Sequence, residues 1–277
     1  KASGLAAGKG AIGCETRELA LAAAREMLID KQFGTSSDTI VIERDMPGWE
    51  TSAHAFCDGK IAVLWPFSTD YKRALDGDTG LNTGGMGSYS PSAGVSEDLA
   101  NEIKRIVVDP VMRGMAAAGH PYSGTLYPGI MVTPEGPKIL EYNARSGDPE
   151  TQVLLPRLES DLFEVARAAA LGELGSFDVR WSSDPTVGVV VASRGYPESF
   201  ETGFPISGFD AVDEGVHVFH AGTRAVEDGF VTSGGRVCTV VASGTTIQEA
   251  RERAYDNARR ITFQNAYYRS DIAQEAV

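Results

Sequence analysis

Several absences narrow this chain before any motif is read. No stretch approaches the run of about 18 apolar residues that crosses a bilayer. The longest apolar blocks, such as Val187 to Ala192, have the length of a buried strand. Cysteine is scarce: Cys14, Cys57 and Cys238 are odd in number and widely spaced, which argues against a disulfide framework and fits a reducing cytosol. Positive charge is outweighed, with Lys+Arg 25 against Asp+Glu 38 and a net charge of −13, so a sequence-independent grip on a nucleic-acid backbone is not expected. The four histidines, His54, His120, His217 and His220, lack metal-ligand spacing and read as structural. Internal repeats and low-complexity segments are missing, as is a convincing Ser/His or Cys/His nucleophile arrangement. What remains is 277 residues with 42% hydrophobic content, enough for a sizeable core in two or three domains.

The most informative run is Glu141-Tyr142-Asn143-Ala144-Arg145-Ser146-Gly147-Asp148-Pro149-Glu150-Thr151-Gln152. Lys138-Ile139-Leu140 before it is strand-like, so Glu141 and Asn143 stand two apart and point to one face. A carboxylate and an amide oxygen side by side suit a hard cation such as Mg²⁺, which prefers oxygen ligands and keeps water or phosphate in its other positions. Arg145 follows at the same spacing with a guanidinium fork that matches phosphate or carboxylate oxygens. The alternative is a strand end with solvated polar residues.

Two glycine loops bear on that choice. The chain opens Lys1-Ala2-Ser3-Gly4-Leu5-Ala6-Ala7-Gly8-Lys9-Gly10, where glycines let amides approach an anion and lysines supply charge. It is not a P-loop: three residues rather than four separate Gly4 from Gly8-Lys9, and Gly10 stands where a hydroxyl should be. The run Leu81-Asn82-Thr83-Gly84-Gly85-Met86-Gly87-Ser88-Tyr89-Ser90-Pro91 makes a poor helix or strand and a good backbone cradle; alone it could equally be a tight turn.

Together these segments resemble the phosphoribosylamine–glycine ligase (glycinamide ribonucleotide synthetase) family of the ATP-grasp superfamily. The first loop matches the family pattern except at Ser3. Asn82 to Gly87 and Tyr89 to Pro91 match throughout, and Glu141 to Gln152 match with Tyr142, Ala144 and Ser146 as departures. Phe219 to Thr223 and Gly234-Gly235-Arg236-Val237 also look like the family's C-terminal domain. The resemblance runs from residue 1 almost to residue 277.

That resemblance implies an α/β (α+β) ATP-grasp fold: a partial lid over 1–44, a central mixed-sheet catalytic domain over 45–180, and a small C-terminal α/β domain over 186–277. The family carries a Rossmann-like domain and the start of the lid upstream of Lys1, so the chain reads as a fragment of the full enzyme. The implied reaction joins glycine to 5-phosphoribosylamine with ATP through glycyl phosphate, with Mg²⁺ or Mn²⁺ on Glu141 and Asn143. Arg145 and Lys9 would be catalytic. ATP would be held by Lys1, Gly4, Gly8, Lys9, Gly10, Glu43, Met46 and Glu50, the last at the ribose hydroxyls. Arg44, Asp45 and Trp49 depart from the family around the base. Substrate would meet Asp70, Lys72, Arg73, the loop Asn82, Thr83, Gly84, Gly85, Met86 and Gly87, and Asp148, with Tyr71 in place of a family histidine. Asp148 and Glu150 could orient the ammonium of glycine or phosphoribosylamine, or cap the helix after Pro149. A strand Tyr127 to Met131 without an acid favours this family over biotin carboxylase-like or D-alanine ligase-like relatives. The implied partners are the small molecules glycine and 5-phosphoribosylamine, with no nucleic acid or membrane, in the cytoplasm; the oligomeric state stays open, with a monomer favoured. A different ATP-grasp carboxylate–amine ligase, or a nucleotide-binding remnant without catalysis, are the competing readings.

The pattern of periodicities and caps places the elements. Thr16 caps a helix to about Asp30, and Thr39 to Glu43 reads as a strand. Thr51 to Cys57 and Lys60 to Trp65 form a hairpin through Asp58-Gly59. Ser96 caps a helix to about Ala118 that Pro110 kinks or divides. Tyr127 to Thr133 and Lys138 to Asn143 are strands. Ser160 caps a helix to about Leu171, residues 176 to 185 form a linker, and a helix from about Thr246 to Ile261 closes the last unit.

Overall fold

The computed structural model describes residues 1–6, 10–14 and 16–277. Its first part holds helix α1 (Arg17–Leu28), capped by the Thr16 hydroxyl, which accepts from the Leu19 amide. The expected strand over residues 39–43 is not formed. Among the described residues Ile40 makes one isolated bridge, to Ala2.

The next region contains β1 (Trp49–Ser52), β2 (Ala55–Asp58), β3 (Ala62–Leu64), β4 (Thr69–Asp70), β5 (Arg73–Leu75), β6 (Thr79–Asn82) and β7 (Gly87–Ser90). Helices α2 (Glu97–Ile103) and α3 (Asp109–Ala117) follow, then β8 (Ser123–Thr133), β9 (Gly136–Asn143), α4 (Glu150–Leu154) and α5 (Leu162–Leu171). Proline divides the expected Glu97-to-Ala118 helix: a π-turn over Lys104–Val108 precedes Pro110, which lacks the N–H an unbroken helix would use. Helix α5 is capped by Asp161, one residue later than expected. Its carboxylate accepts from the Phe163 and Glu164 amides, whereas the Ser160 hydroxyl is engaged by Asp178 and Arg180.

The long strand β8 organises the first sheet, in the order β1-β8-β2-β3 with β9 on its other edge. β1 and β2 lie end to end along β8, and the expected hairpin survives as β2–β3. The break between them, at Ala53 and His54, falls opposite Pro128, a residue that cannot donate to a ladder. Ile103, Val107, Val108 and Met112 from the helical segment pack Ala55, Cys57 and Ile130 of this sheet.

The last region contains β10 (Thr186–Ser193), β11 (Pro205–Ile206), β12 (Val216–His220), β13 (Thr223–Val226), β14 (Gly229–Thr232), β15 (Arg236–Ser243), α6 (Ile247–Ala258, capped by Thr246) and β16 (Ala266–Tyr267). β10 is buried along its whole length, as its unbroken apolar run requires. It is central to a sheet ordered β12-β15-β10-β7-β4. β4 and β7 thus lie in one sheet with β10, and the two glycine-loop neighbours Asp70 and Gly87 are hydrogen-bonded into it. Residues 176–185 are laid against the body rather than free: Trp181 bridges Leu158 and its ring lies 5.6 Å from that of Trp65. Every ladder among the described residues is antiparallel, where a mixed central sheet was expected.

Candidate active site

The β8–β9 hairpin delivers the first group of polar residues. β9 ends at Asn143, and the Asn143 amide donates from Nδ2 to Glu141 Oε1 at 3.1 Å and to the Tyr127 carbonyl at 3.4 Å. The two side chains therefore share a face, as their spacing requires. Turning the Asn143 amide over would set its oxygen beside the Glu141 carboxylate, so the donor set fits a hard divalent cation. Among the described residues no three His, Cys, Asp or Glu side chains gather as a metal cage. Such an ion would take its remaining ligands from phosphate and water. Arg145 lies beyond the strand, in the exposed turn that follows, with Nη1 on the Ser146 carbonyl at 3.0 Å.

Lys1 and Glu43 come to the same strand. Lys1 Nζ donates to the Leu140 carbonyl at 3.1 Å and pairs with Glu43 Oε2 at 2.7 Å. Gly4 and Gly10 serve close packing: a Cβ at Gly4 would stand 2.6 Å from Ser36 Cα, and one at Gly10 would stand 2.6 Å from Ala6 Cβ. Met46 is half-buried. The assignments to Gly8 and Lys9 lie outside the described residues.

A second group surrounds Asp70. Glu50, on β1, forms an ion pair with Lys72. Asp70 Oδ1 is sealed from solvent without a hydrogen-bond partner. Burial, then the charge of Glu150, pushes the Asp70 carboxyl well above the usual carboxylate range, partly offset by Lys72 and Arg236. Burial pulls the Lys72 ammonium down, but Glu50 and Asp70 outweigh it and leave it raised. Arg73 is turned away into the β5–β6 hairpin, where Nη1 donates to the Gly80 carbonyl and the residue pairs with Asn82.

The 82–87 loop does not offer the backbone cradle its glycines suggest. The Thr83 amide donates to the Lys72 carbonyl, the Gly84 amide to Tyr196 OH, the Gly85 amide to Thr83 Oγ1 and the Met86 amide to the Tyr71 carbonyl. These amides are consumed inside the protein, because the loop is itself the link between β6 and β7. Met86 is 1% exposed and belongs to the core, and Gly87 begins β7. Gly85 needs to be glycine on two counts. Its φ is +115°, and a Cβ would lie 2.3 Å from Pro149 Cδ and 2.7 Å from Asp70 Oδ1.

Arg236 ties this loop to Asp148. Its Nη1 donates to the Gly84 carbonyl and to the Asp148 carbonyl, both at 2.8 Å, and lies 3.2 Å from Asp148 Oδ1. Asp148 Oδ1 also accepts from Gln152 Nε2. Glu150 is 1% exposed, accepts from Tyr127 OH and Ser52 Oγ, and is not simply a solvated helix cap.

The sequence-family model described as phosphoribosylglycinamide synthetase, ATP-grasp (A) domain, matches residues 1–151, and that described as phosphoribosylglycinamide synthetase, C domain, matches residues 186–275. The chain belongs to the phosphoribosylglycinamide synthetase family. A phosphoribosylamine–glycine ligase of Caulobacter vibrioides is 48% identical over the whole chain, and one of Vibrio vulnificus is 44% identical. The chain spans 65% of the length of these curated relatives. The crystal structure of the Thermotoga maritima phosphoribosylamine–glycine ligase superposes with a TM-score of 0.84 at 36% identity, over 99% of this chain and 68% of that one. The fold is ATP-grasp. It is shared at 15% identity and a TM-score of 0.67 with the biotin carboxylase domain of a Hydrogenobacter thermophilus 2-oxoglutarate carboxylase, over 96% of this chain and 57% of that one.

The polar cluster draws on both matched regions. Arg236 and Tyr196 come from the C-domain match and grip a loop of the ATP-grasp match. Sequence reasoning singled out the stretch Gly234 to Val237 but gave Arg236 no role, since 88 residues separate it from Asp148. The bond between Tyr127 and Glu150 was equally hidden, because it depends on the β8–α4 packing.

Asp70 supplies a stability prediction. A carboxyl raised in the folded state favours folding below its unfolded pKa, and that advantage is lost as pH rises through the folded value. At neutral pH the buried, ionisable group therefore costs stability. Asp70→Asn is expected to raise the unfolding midpoint at pH 7 and to narrow the gap toward pH 4; equal midpoints at pH 7 would contradict the placement of the carboxyl.

Proposed function

We propose that this chain carries the ATP-binding and substrate-binding parts of a phosphoribosylamine–glycine ligase. The observation that carries the reading is the Glu141 carboxylate with the Asn143 amide bonded to it on one strand face, beside the Lys1–Glu43 pair and a turn bearing Arg145. ATP and a divalent cation, Mg²⁺ or Mn²⁺, would be held there by Glu141 and Asn143, and the ion would neutralise phosphate charge. Lys1, paired with Glu43 in the described state, exchanges that carboxylate for phosphate oxygens when nucleotide arrives. Glu50 serves the ribose hydroxyls once released from Lys72.

A glycine carboxylate is a poor acyl donor because an oxide would have to leave. Attack of a glycine carboxylate oxygen on the γ-phosphorus, with cleavage of its bond to the β-phosphate oxygen, gives glycyl phosphate and ADP. The 5-phosphoribosylamine nitrogen then attacks the acyl carbon, the carbon–oxygen bond to phosphate breaks, and glycinamide ribonucleotide forms with loss of an amine proton. Arg145 steadies the transferring phosphoryl group, and the protein contributes positioning and charge rather than a nucleophile. Asp148, beside the 82–87 loop, suits an ammonium group, while Lys72 suits an anionic one. Small-molecule chemistry by a cytoplasmic monomer goes with this reading. No helix of the described residues is long and apolar enough to cross a membrane.

The test is ADP release by the chain extended to the length of its relatives, measured with glycine, with 5-phosphoribosylamine, and with both. Release that requires both, with glycinamide ribonucleotide formed, is expected. Release with another carboxylate and amine instead would assign a different ligase. Nucleotide binding without release under any substrate would identify a binding remnant.

A further inference from the structure

His54 sits at the break between β1 and β2, fully buried, and read as a sequence it is only a core histidine. Its surroundings give it a specific task. The imidazole is stacked against the Tyr127 ring, with centroids 4.3 Å apart and planes 17° apart, and against Trp65 at 5.3 Å. Its own carbonyl accepts from the Trp65 amide at 2.8 Å. The ring is thus fixed in position and tilt. Nε2 then accepts the Gly147 N–H at 3.1 Å, a bond buried between segments 93 residues apart.

That bond fixes the chemistry of the ring. A backbone N–H can only donate, so Nε2 carries no proton and the proton is on Nδ1, which is buried without a partner. An imidazolium would have no acceptor role for Gly147. Burial, then the nearby charge of Arg145, pulls the group down to about 3, which agrees with a ring that stays neutral. An orphaned Nδ1–H costs free energy, and the compensating interaction is the single bond to Gly147.

Gly147 lies inside the turn that holds the site. Arg145 stands two residues before it and Asp148 directly after it, and the Gly147 carbonyl accepts the Thr151 amide at the start of α4. The far end of the turn is held by Glu150, through Tyr127 OH and Ser52 Oγ. The near end has His54. Side-chain bulk cannot replace that hold, since a Cβ on Gly147 would meet the Glu150 carboxylate at 2.7 Å.

We propose that His54 is a positioning residue that acts through the Gly147 amide to set the Arg145–Asp148 turn for phosphoryl and acyl transfer. The proposal rests on the ligase reading of that turn for its kinetic consequence, though not for the bond itself. His54→Phe keeps the stacking and removes the acceptor, whereas His54→Gln returns an acceptor oxygen on a similar reach. In the extended chain, His54→Phe is expected to lower kcat about 10- to 100-fold while KM for ATP changes about twofold or less, as a misplaced reacting group would. His54→Gln recovers most of kcat. Hydrogen exchange of the Gly147 amide, slow in the parent protein, accelerates in His54→Phe and slows again in His54→Gln.

A readout without any variant uses ¹⁵N spectra of the imidazole in the parent protein. A neutral ring protonated on Nδ1 across pH 5 to 9 is expected. A ring protonated on Nε2, or one that titrates in that range, overturns the proposal, as does His54→Phe with normal kcat and a protected Gly147 amide. A parent protein without ligase turnover strikes the ligase reading alone, because the tautomer and the amide exchange are read without substrate.

Discussion

Glu141→Ala is expected to abolish substrate-dependent ADP release while leaving the protein folded. Glu141 is exposed near the end of β9, opposite Gly129, and its side chain bonds only Asn143 among the described residues. Its removal breaks no core contact, so unfolding stability should change by about 0.5 kcal/mol or less. The loss in kcat should reach about 10²- to 10³-fold, the effect of removing a preorganised group that balances transition-state charge. Glu141→Gln keeps the shape and one oxygen but loses the charge, and should fall between the two. Steady-state ADP release and thermal unfolding, measured on the same preparations, separate the effects. Near-normal turnover in Glu141→Ala would remove the metal assignment. A large drop in stability would show that the carboxylate is structural.

Met86→Ala should do the reverse. The resemblance counts Met86 among substrate-binding residues, yet its side chain is 1% exposed, and its carbonyl accepts from the Val190 amide while its amide donates to the Tyr71 carbonyl. Truncating a buried methionine removes its apolar contacts and leaves a cavity that the rigid β7–β10 ladder can collapse only in part. A loss of about 2–5 kcal/mol is the usual cost. Urea unfolding should show it, and at low temperature the folded fraction should bind glycine with an unchanged KM. A variant of parent stability with a raised KM would return Met86 to the substrate site and contradict its burial.

These two residues show which parts of the site could be read from the chain. The common face of Glu141 and Asn143 was legible because strand periodicity fixes which side chains share a face, and the two are hydrogen-bonded there. Helix starts at Thr16, Ser96 and Thr246 were legible for a similarly local reason, since capping geometry is set within four residues. The 82–87 loop read equally as a cradle or a tight turn, because glycine content signals backbone freedom without saying where amides go; here those of Thr83, Gly84, Gly85 and Met86 are consumed by Lys72, Tyr196, Thr83 and Tyr71. Arg236, Glu150 and His54 act across separations from 23 to 152 residues, and no local pattern encodes such contacts. The sharing of one sheet by β4, β7 and β10 was hidden likewise, since strand pairing is decided by tertiary packing.

The most direct measurement follows oxygen atoms. Glycine labelled with ¹⁸O in its carboxylate is supplied with ATP and 5-phosphoribosylamine to the extended chain, and the inorganic phosphate released is examined by mass spectrometry. Passage through glycyl phosphate transfers one carboxylate oxygen to each phosphate, so phosphate carrying a single ¹⁸O is predicted. Unlabelled phosphate would contradict the ligase chemistry, since it would mean that water, not glycine, receives the phosphoryl group.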